Sequence, residues 1–245
     1  MAVKGFQMHS EKGKLILIPC PLSDNDVSSV LPSNISFHIN SCTTFIVENL
    51  RSARRFLIKA GLESSIDDLH FHVLNKHTHT EALNPMLENA LNGENIGLIS
   101  EAGCPAVADP GGEIVALAHK KRIPVHPLVG PSSILLALMA SGMNGQQFAF
   151  NGYLPKDRKE RIKKIQWLEQ LSKKTNQTQI FIETPFRNNH LIDDLSQCCQ
   201  PNTFITIASN LTSKNEKIVR TKANDLKSMN IDIHKIPTIF LMHTY

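Results

Sequence analysis

The stretch Ile99-Ser100-Glu101-Ala102-Gly103-Cys104-Pro105-Ala106-Val107-Ala108-Asp109-Pro110-Gly111 holds the residues best suited to chemistry in this chain. Two carboxylates, Glu101 and Asp109, stand among small side chains. Prolines and glycines can fix the backbone close to a ligand. The stretch follows the apolar run Ile96–Ile99 and precedes a helix-like segment starting at Gly112. It is longer than the roughly 2–6 residues usual for such a connection. Ligands of open α/β sheets bind beyond the carboxyl ends of the strands, so a pocket is expected here. A second candidate, Pro127-Leu128-Val129-Gly130-Pro131-Ser132-Ser133, also closes a strand and opens a helix. Its Pro and Ser suit a first helical turn, and on propensity a plain helix cap is the favoured reading.

Other chemistries fare less well. His70, His72, His77 and His79 lie within ten residues, and 70/72 spacing puts two imidazoles on one face of a strand. No Cys, Asp or Glu lies between them to complete a coordination set, so no metal site is expected. None of the 12 glycines forms a G-x-G-x-x-G fingerprint, and neither a P-loop nor a G-x-S-x-G elbow occurs. Cys20, Cys42, Cys104, Cys198 and Cys199 are odd in number and include no C-x-x-C pair. That excludes a zinc ribbon and a disulfide framework and fits a reducing, cytoplasmic setting.

These residues need a scaffold, and the composition supplies one. Of 245 residues, 41% are hydrophobic and 20% charged, a globular balance, while 6% aromatic content leaves the core to Ile, Leu, Val and Ala. The net charge of +4 permits an anionic partner without demanding one. Lys4, Glu11, Lys12 and Lys14 leave no apolar core for a signal peptide. The longest apolar stretch, Ile134–Ala140, is far short of the about 20 residues that span a bilayer, so a soluble protein without a membrane partner is expected.

Apolar runs at Leu15–Ile18, Phe45–Val47, Phe71–Leu74, Ile96–Ile99 and Pro124–Leu128 read as buried strands. Helix-like stretches, Ser52–Ala60, Thr80–Leu91, Gly112–Lys121 and Ser132–Ser141, alternate with them. Such alternation predicts a largely parallel sheet covered on both faces. Beyond Ser-Gly-Met-Asn-Gly at 141–145 the texture changes: a charged helix over Asp157–Lys173, a helix over Phe186–Cys199, and strands at Gln179–Glu183, Phe204–Ala208, Lys217–Thr221 and Pro237–His243. Two α/β domains are therefore expected, 1–141 and 142–245.

The ordered segments ISEAGCPAVADPG, VHPLVGPSSILLALMASGM, FAFNGYLP, IFIETPFR and IASNLTSKNEKIVR together resemble the tetrapyrrole methylase superfamily of S-adenosylmethionine (SAM) methyltransferases. Within it, the chain is most similar to the branch that methylates a ribose 2′-hydroxyl in small-subunit ribosomal RNA. The resemblance runs from about Lys14 to the C-terminus. It implies two α/β domains with SAM in the cleft between them, and a homodimer, for which the apolar helix Ile134–Met139 is weak independent support. It places the cofactor against Pro21, Ser100, Glu101, Gly103, Val107, Asp109, Pro131, Ser132 and Ser133, with Thr184, Leu211 and Pro237 from the second domain. It departs from the family in three places. A TPIGNL-type loop becomes Pro19-Cys20-Pro21-Leu22-Ser23-Asp24, a Glu-Asp-Thr-Arg run becomes Glu48-Asn49-Leu50-Arg51, and the acid of Ser-Asp-Ala-Gly becomes Glu101. With the sequence ending at Tyr245, the small extra module of longer RNA-branch members is not expected.

A hydroxyl acceptor benefits from a base that removes its proton as the new bond forms. The resemblance makes Glu48 the leading candidate, with Arg51 holding a phosphate or orienting Glu48; an ion pair at a helix start is the other reading. Between Lys156 and Lys174, eight basic residues face Asp157, Glu160 and Glu169, a local charge of +5. Ile162, Ile165, Leu168 and Leu171 recur at helical spacing, so this helix should bury one face and offer its charges to solvent. A solubilising face explains the charge alone. Its place after Gly152-Tyr153-Leu154-Pro155, a segment of the resemblance, favours RNA contact through Lys159, Arg161 and Lys163. The alternatives are a methylase of a tetrapyrrole or another small planar acceptor, and a SAM-binding protein that has lost chemistry through Asn49-Leu50.

Overall fold

The computed structural model describes residues 12–24, 26–75 and 78–245; Lys4, Glu11 and His77 lie outside the described residues. The chain divides into two compact units. The first runs to Pro21 and resumes up to Pro131; the second takes Leu22–Asp24 and Ser132–Tyr245.

In the first unit, β1 (Leu15–Ile18), β2 (Cys42–Val47), β3 (His70–Val73), β4 (Asn95–Ile99) and β5 (Val125–Pro127) form a sheet of order β3-β2-β4-β1-β5. Every neighbouring pair is parallel, as the alternation predicts. Successive side chains point to opposite faces, and both faces are buried. Ile16, Ile18, Phe45 and Val47 enter one core, whereas Leu15, Ile46, Ile96 and Leu98 enter the other. Gly97 is required where the Phe45 ring crosses β4, since a Cβ there would stand 2.6 Å from Phe45 Cδ1.

Four helices cover this sheet: α1 (Ile35–Asn40), α2 (Leu50–Lys59), α3 (Glu88–Leu91) and α4 (Gly112–Lys120). The six-residue α1 escapes periodicity, being too short to show a stripe. The helix expected over Thr80–Leu91 is instead two 3-10 turns, Thr80–Leu83 and Pro85–Leu87, leading into α3. Pro85 lacks the amide that a continuous helix would need there.

The second unit opens with α5 (Ser133–Ser141) and β6 (Phe148–Tyr153), followed by α6 (Arg158–Thr175), β7 (Thr178–Ile182), α7 (Asn188–Cys198), β8 (Phe204–Ser209), β9 (Lys217–Lys222) and β10 (Thr238–His243). Its sheet has the order β6-β7-β10-β8-β9. Only β6 and β7 pair in parallel; β10 runs against β7 and β8, and β9 against β8. One face packs Ile165, Leu168, Leu191 and Leu195 of α6 and α7 on Phe181 and Phe240, whose rings stack 6.1 Å apart.

The expected boundary at 141/142 moves ten residues earlier. Ala137 and Leu138 of α5 pack on Ile180, Ala208, Ile239 and Leu241, so α5 belongs to the second unit. The break at Ser-Gly-Met-Asn-Gly is the end of that helix, with Gly142 in the left-handed conformation (φ 62°). Among the described residues no helix is long and apolar enough to cross a membrane.

Candidate active site

In a parallel sheet all strands end at the same edge, and the predicted residues of the first unit gather there. Pro21 follows β1, Glu48 follows β2, Ser100 to Asp109 follow β4, and Pro131 lies beyond β5. Cys20 N–H donates to Gly103 O at 2.9 Å and Gly103 N–H to Cys20 O at 3.0 Å, stitching the β1 loop to the β4 loop. Cys104 Sγ lies 3.5 Å from Pro131 O, tying in the β5 loop. Gly130 passes so close to Pro19 that a Cβ would come within 2.2 Å of the ring.

The β4 loop holds an unusual backbone. Gly103 and Gly111 have φ of 72° and 139°, and Ala106 and Ala108 both have φ of 65°. An L-residue in that region costs roughly 1–2 kcal/mol, and such strain collects at functional sites. The glycines were legible in the sequence, whereas nothing local marks the two alanines.

Three carboxylates meet at this edge. Burial, then the charge of Glu101, pushes the Glu48 carboxyl up, while the Glu101 backbone amide pulls it down. Glu48 Oε2 is buried without a hydrogen-bond partner among the described residues. Asp109 is raised to about 6, first by burial and then by Glu48; Glu101 adds to this and the Ser100 hydroxyl opposes it. Ser52 Oγ of α2 donates a very short hydrogen bond to Glu101 Oε1 and holds that side chain in place. Burial, Glu101 and Asp109 also push the Cys20 thiol above its ordinary range. Spacing did not reveal Ser52 or Cys20, because both meet the acids across strands.

Asn49 has a separate task. Its side chain accepts from Arg51 N at 2.9 Å and Ser52 N at 3.4 Å, so it is the N-cap of α2. Arg51 lies exposed in the first turn, and among the described residues it forms no ion pair with Glu48, which removes the ion-pair reading. Val107 is exposed at the tip of the β4 loop.

In the second unit, Ser132 occupies the N-cap position of α5, yet its side chain makes no capping bond, and Ser133 is the first helical residue. Thr184 follows β7, Leu211 follows β8 and Pro237 precedes β10, so all three lie at one end of the second sheet. Asn210 N–H donates to Pro237 O at 2.9 Å and Lys235 N–H to Pro185 O at 3.0 Å, joining the three segments. The Leu211 side chain is buried in the core of the second unit.

The expected solvent face of α6 needs one correction. Arg161 is 5% exposed, pairs with Asp194 at 2.7 Å and donates to Pro155 O and Lys156 O. It is a structural cation, and Arg158 joins it on Asp194 at 2.9 Å. The apolar spacing of α6 placed Ile165 and Leu168 correctly, but it cannot show that an arginine beside them turns inward.

A family model for Tetrapyrrole (Corrin/Porphyrin) Methylases matches residues 39–227. The chain belongs to the tetrapyrrole methylase family. Ribosomal RNA small subunit methyltransferase I of Halalkalibacterium halodurans is 30% identical over 89% of this chain and 71% of its own length. The protein of the same name from Bacillus subtilis is 29% identical over 88% and 69%. Among solved structures, the methyltransferase CobJ matches with a TM-score of 0.61 at 15% identity, covering 95% of this chain and 94% of that one. Uroporphyrin-III C-methyltransferase from Thermus thermophilus, solved with S-adenyl homocysteine, matches with a TM-score of 0.55 at 14% identity, covering 94% and 97%. As a tetrapyrrole methylase, the chain is a SAM-dependent methyltransferase of two-sheet α/β architecture. The residues present fit a cationic sulfonium donor: the strand-end edge carries three carboxylates, one with a buried oxygen that nothing in the described chain satisfies.

Proposed function

We propose that this methyltransferase methylates a ribose 2′-hydroxyl of ribosomal RNA. When bound, SAM supplies a methyl group on a sulfonium leaving group. Glu48 receives the hydroxyl proton as the oxygen–carbon bond forms, and Arg51, which forms no ion pair with Glu48, is proposed to meet an acceptor phosphate. In the first unit, Pro21, Ser100, Glu101, Gly103, Val107, Asp109 and Pro131 are proposed to hold the donor; in the second, Ser132, Ser133, Thr184, Leu211 and Pro237. The observation that carries the reading is Glu48 itself. Its buried, unpartnered oxygen and raised affinity for protons suit a base, since general bases work best near the operating pH. The names of the relatives support the RNA acceptor.

The enzyme is proposed to work in the reducing cytoplasm, where its five free cysteines are at home, and as a homodimer. Supporting a second copy, α5 is apolar between its terminal serines, yet Leu135 and Met139, one turn apart, are 51% and 79% exposed.

The test is transfer of labelled methyl from SAM to small ribosomal subunits that lack the modification, with a porphyrin precursor alongside. Label is expected in RNA, on the ribose. Glu48→Gln should lower turnover about 10²–10⁴-fold while SAM affinity holds. Label in the porphyrin instead would establish the small planar acceptor, and donor binding with no transfer to either would establish a binding protein.

A further inference from the structure

The outward face of α6 is more than a set of lysines. At 100° per residue, Lys159, Lys163, Trp167, Gln170 and Lys174 fall along one stripe of the helix. Trp167, the sole tryptophan of the chain, sits in the middle of that stripe and is 50% exposed. Lys164 Nζ stands 3.9 Å from the centre of its ring. The two arginines of the helix are engaged with Asp194 and Glu169 is buried, so the solvent face holds lysines against Glu160 and the N-cap Asp157. Glu160 pairs with Lys163 at 2.9 Å between two well-exposed side chains, a bond worth little in water and easily exchanged for a phosphate.

A lone exposed apolar residue needs no explanation. An indole centred in a row of cations is a different object, because it combines charge for a phosphate backbone with a flat surface on which a base can stack. A solubilising face needs only the charge. An acidic protein would be met by the lysines without use for the ring.

We infer that this face of α6 is a docking surface for single-stranded RNA, in which an unpaired base stacks on Trp167 while Lys159, Lys163 and Lys174 take the flanking phosphates. The inference rests on the RNA reading above and adds where the acceptor strand is gripped. It places Arg161 outside the contact, so the surface is tested through the lysines and Trp167 only.

Because Trp167 is the only tryptophan, intrinsic fluorescence of the intact protein reports on this position directly. A short single-stranded oligoribonucleotide should quench that emission, and inorganic polyphosphate of matched charge should not. Trp167→Ala should weaken RNA binding about 5- to 150-fold, the range for one stacked base, with SAM affinity unchanged, and Trp167→Phe should restore most of it. Lys163→Gln should reduce the slope of log affinity against log salt by about 0.7, the value for one single-strand phosphate contact. If RNA binds while the emission is unchanged and Trp167→Ala keeps full affinity, the docking surface is overturned and the RNA reading survives. Equal quenching by polyphosphate would reduce the face to a polyanion-attracting one and overturn the stacking. Absence of RNA binding at low salt would sink both.

Discussion

Glu101 raises the proton affinity of Glu48, both raise that of Asp109, and the three side chains are held differently: a half-buried strand end for Glu48, a serine for Glu101, a partly buried loop for Asp109. A carboxyl whose proton affinity rises on folding makes the folded state bind more protons than the unfolded one. Stability therefore falls as pH rises through the interval. For Asp109 that interval runs from 3.8 to about 6, so its ionised form costs stability at neutral pH. Asp109→Asn should raise the melting temperature at pH 7, and the gain should vanish below the lower end of that interval; a gain that persists in acid would assign it to packing. The acids in the Ile99–Gly111 stretch were legible because they punctuate a loop of small residues. Their mutual influence was not, because Glu48 and Ser52 come from another strand and helix.

At the scale of elements, Asn49 serves as the side-chain cap of α2. Asn49→Ala should cost about 1 kcal/mol in urea unfolding, the usual loss of a side-chain cap. Asn49→Asp keeps the cap and gains about 0.3–1 kcal/mol from the helix dipole. The new charge beside Glu48 should move the acid limb of the rate profile to higher pH without restoring or abolishing turnover. Helix α6 makes the opposite point. Arg161→Ala leaves Asp194, with a side chain 2% exposed, to Arg158 alone and should destabilise the protein by about 3 kcal/mol. Lys159→Ala, on the outer face, should change stability by less than about 0.5 kcal/mol. Period and composition locate such a helix and its apolar stripe. Which cations turn inward depends on a partner more than thirty residues away, and sequence spacing carries no record of that.

For the whole molecule, the parallel first sheet was readable because burial on both faces leaves continuous Ile, Leu and Val runs. Four strands of the second sheet were recognisable one by one, and β6 was not. The mixed order of that sheet was not legible either, since strand direction follows from connections that apolar patterning does not encode. The pairing of copies through α5 makes a definite claim: Leu135→Glu with Met139→Glu should sediment as a monomer with the fold intact, where the parent sediments as a dimer at micromolar concentration. Monomeric sedimentation of the parent would end that proposal. The excursion of Leu22–Asp24 into the second unit also has a consequence for synthesis. At about 5–20 residues per second, those three residues leave the ribosome on the order of ten seconds before the helix that follows Ser132. Leu22, which packs against the core cluster that includes Ala137, Leu138 and Leu211, must wait uncovered through that interval. A fragment ending at Pro131 thus carries Leu22 without the residues that cover it, and should be the stickier half of the protein.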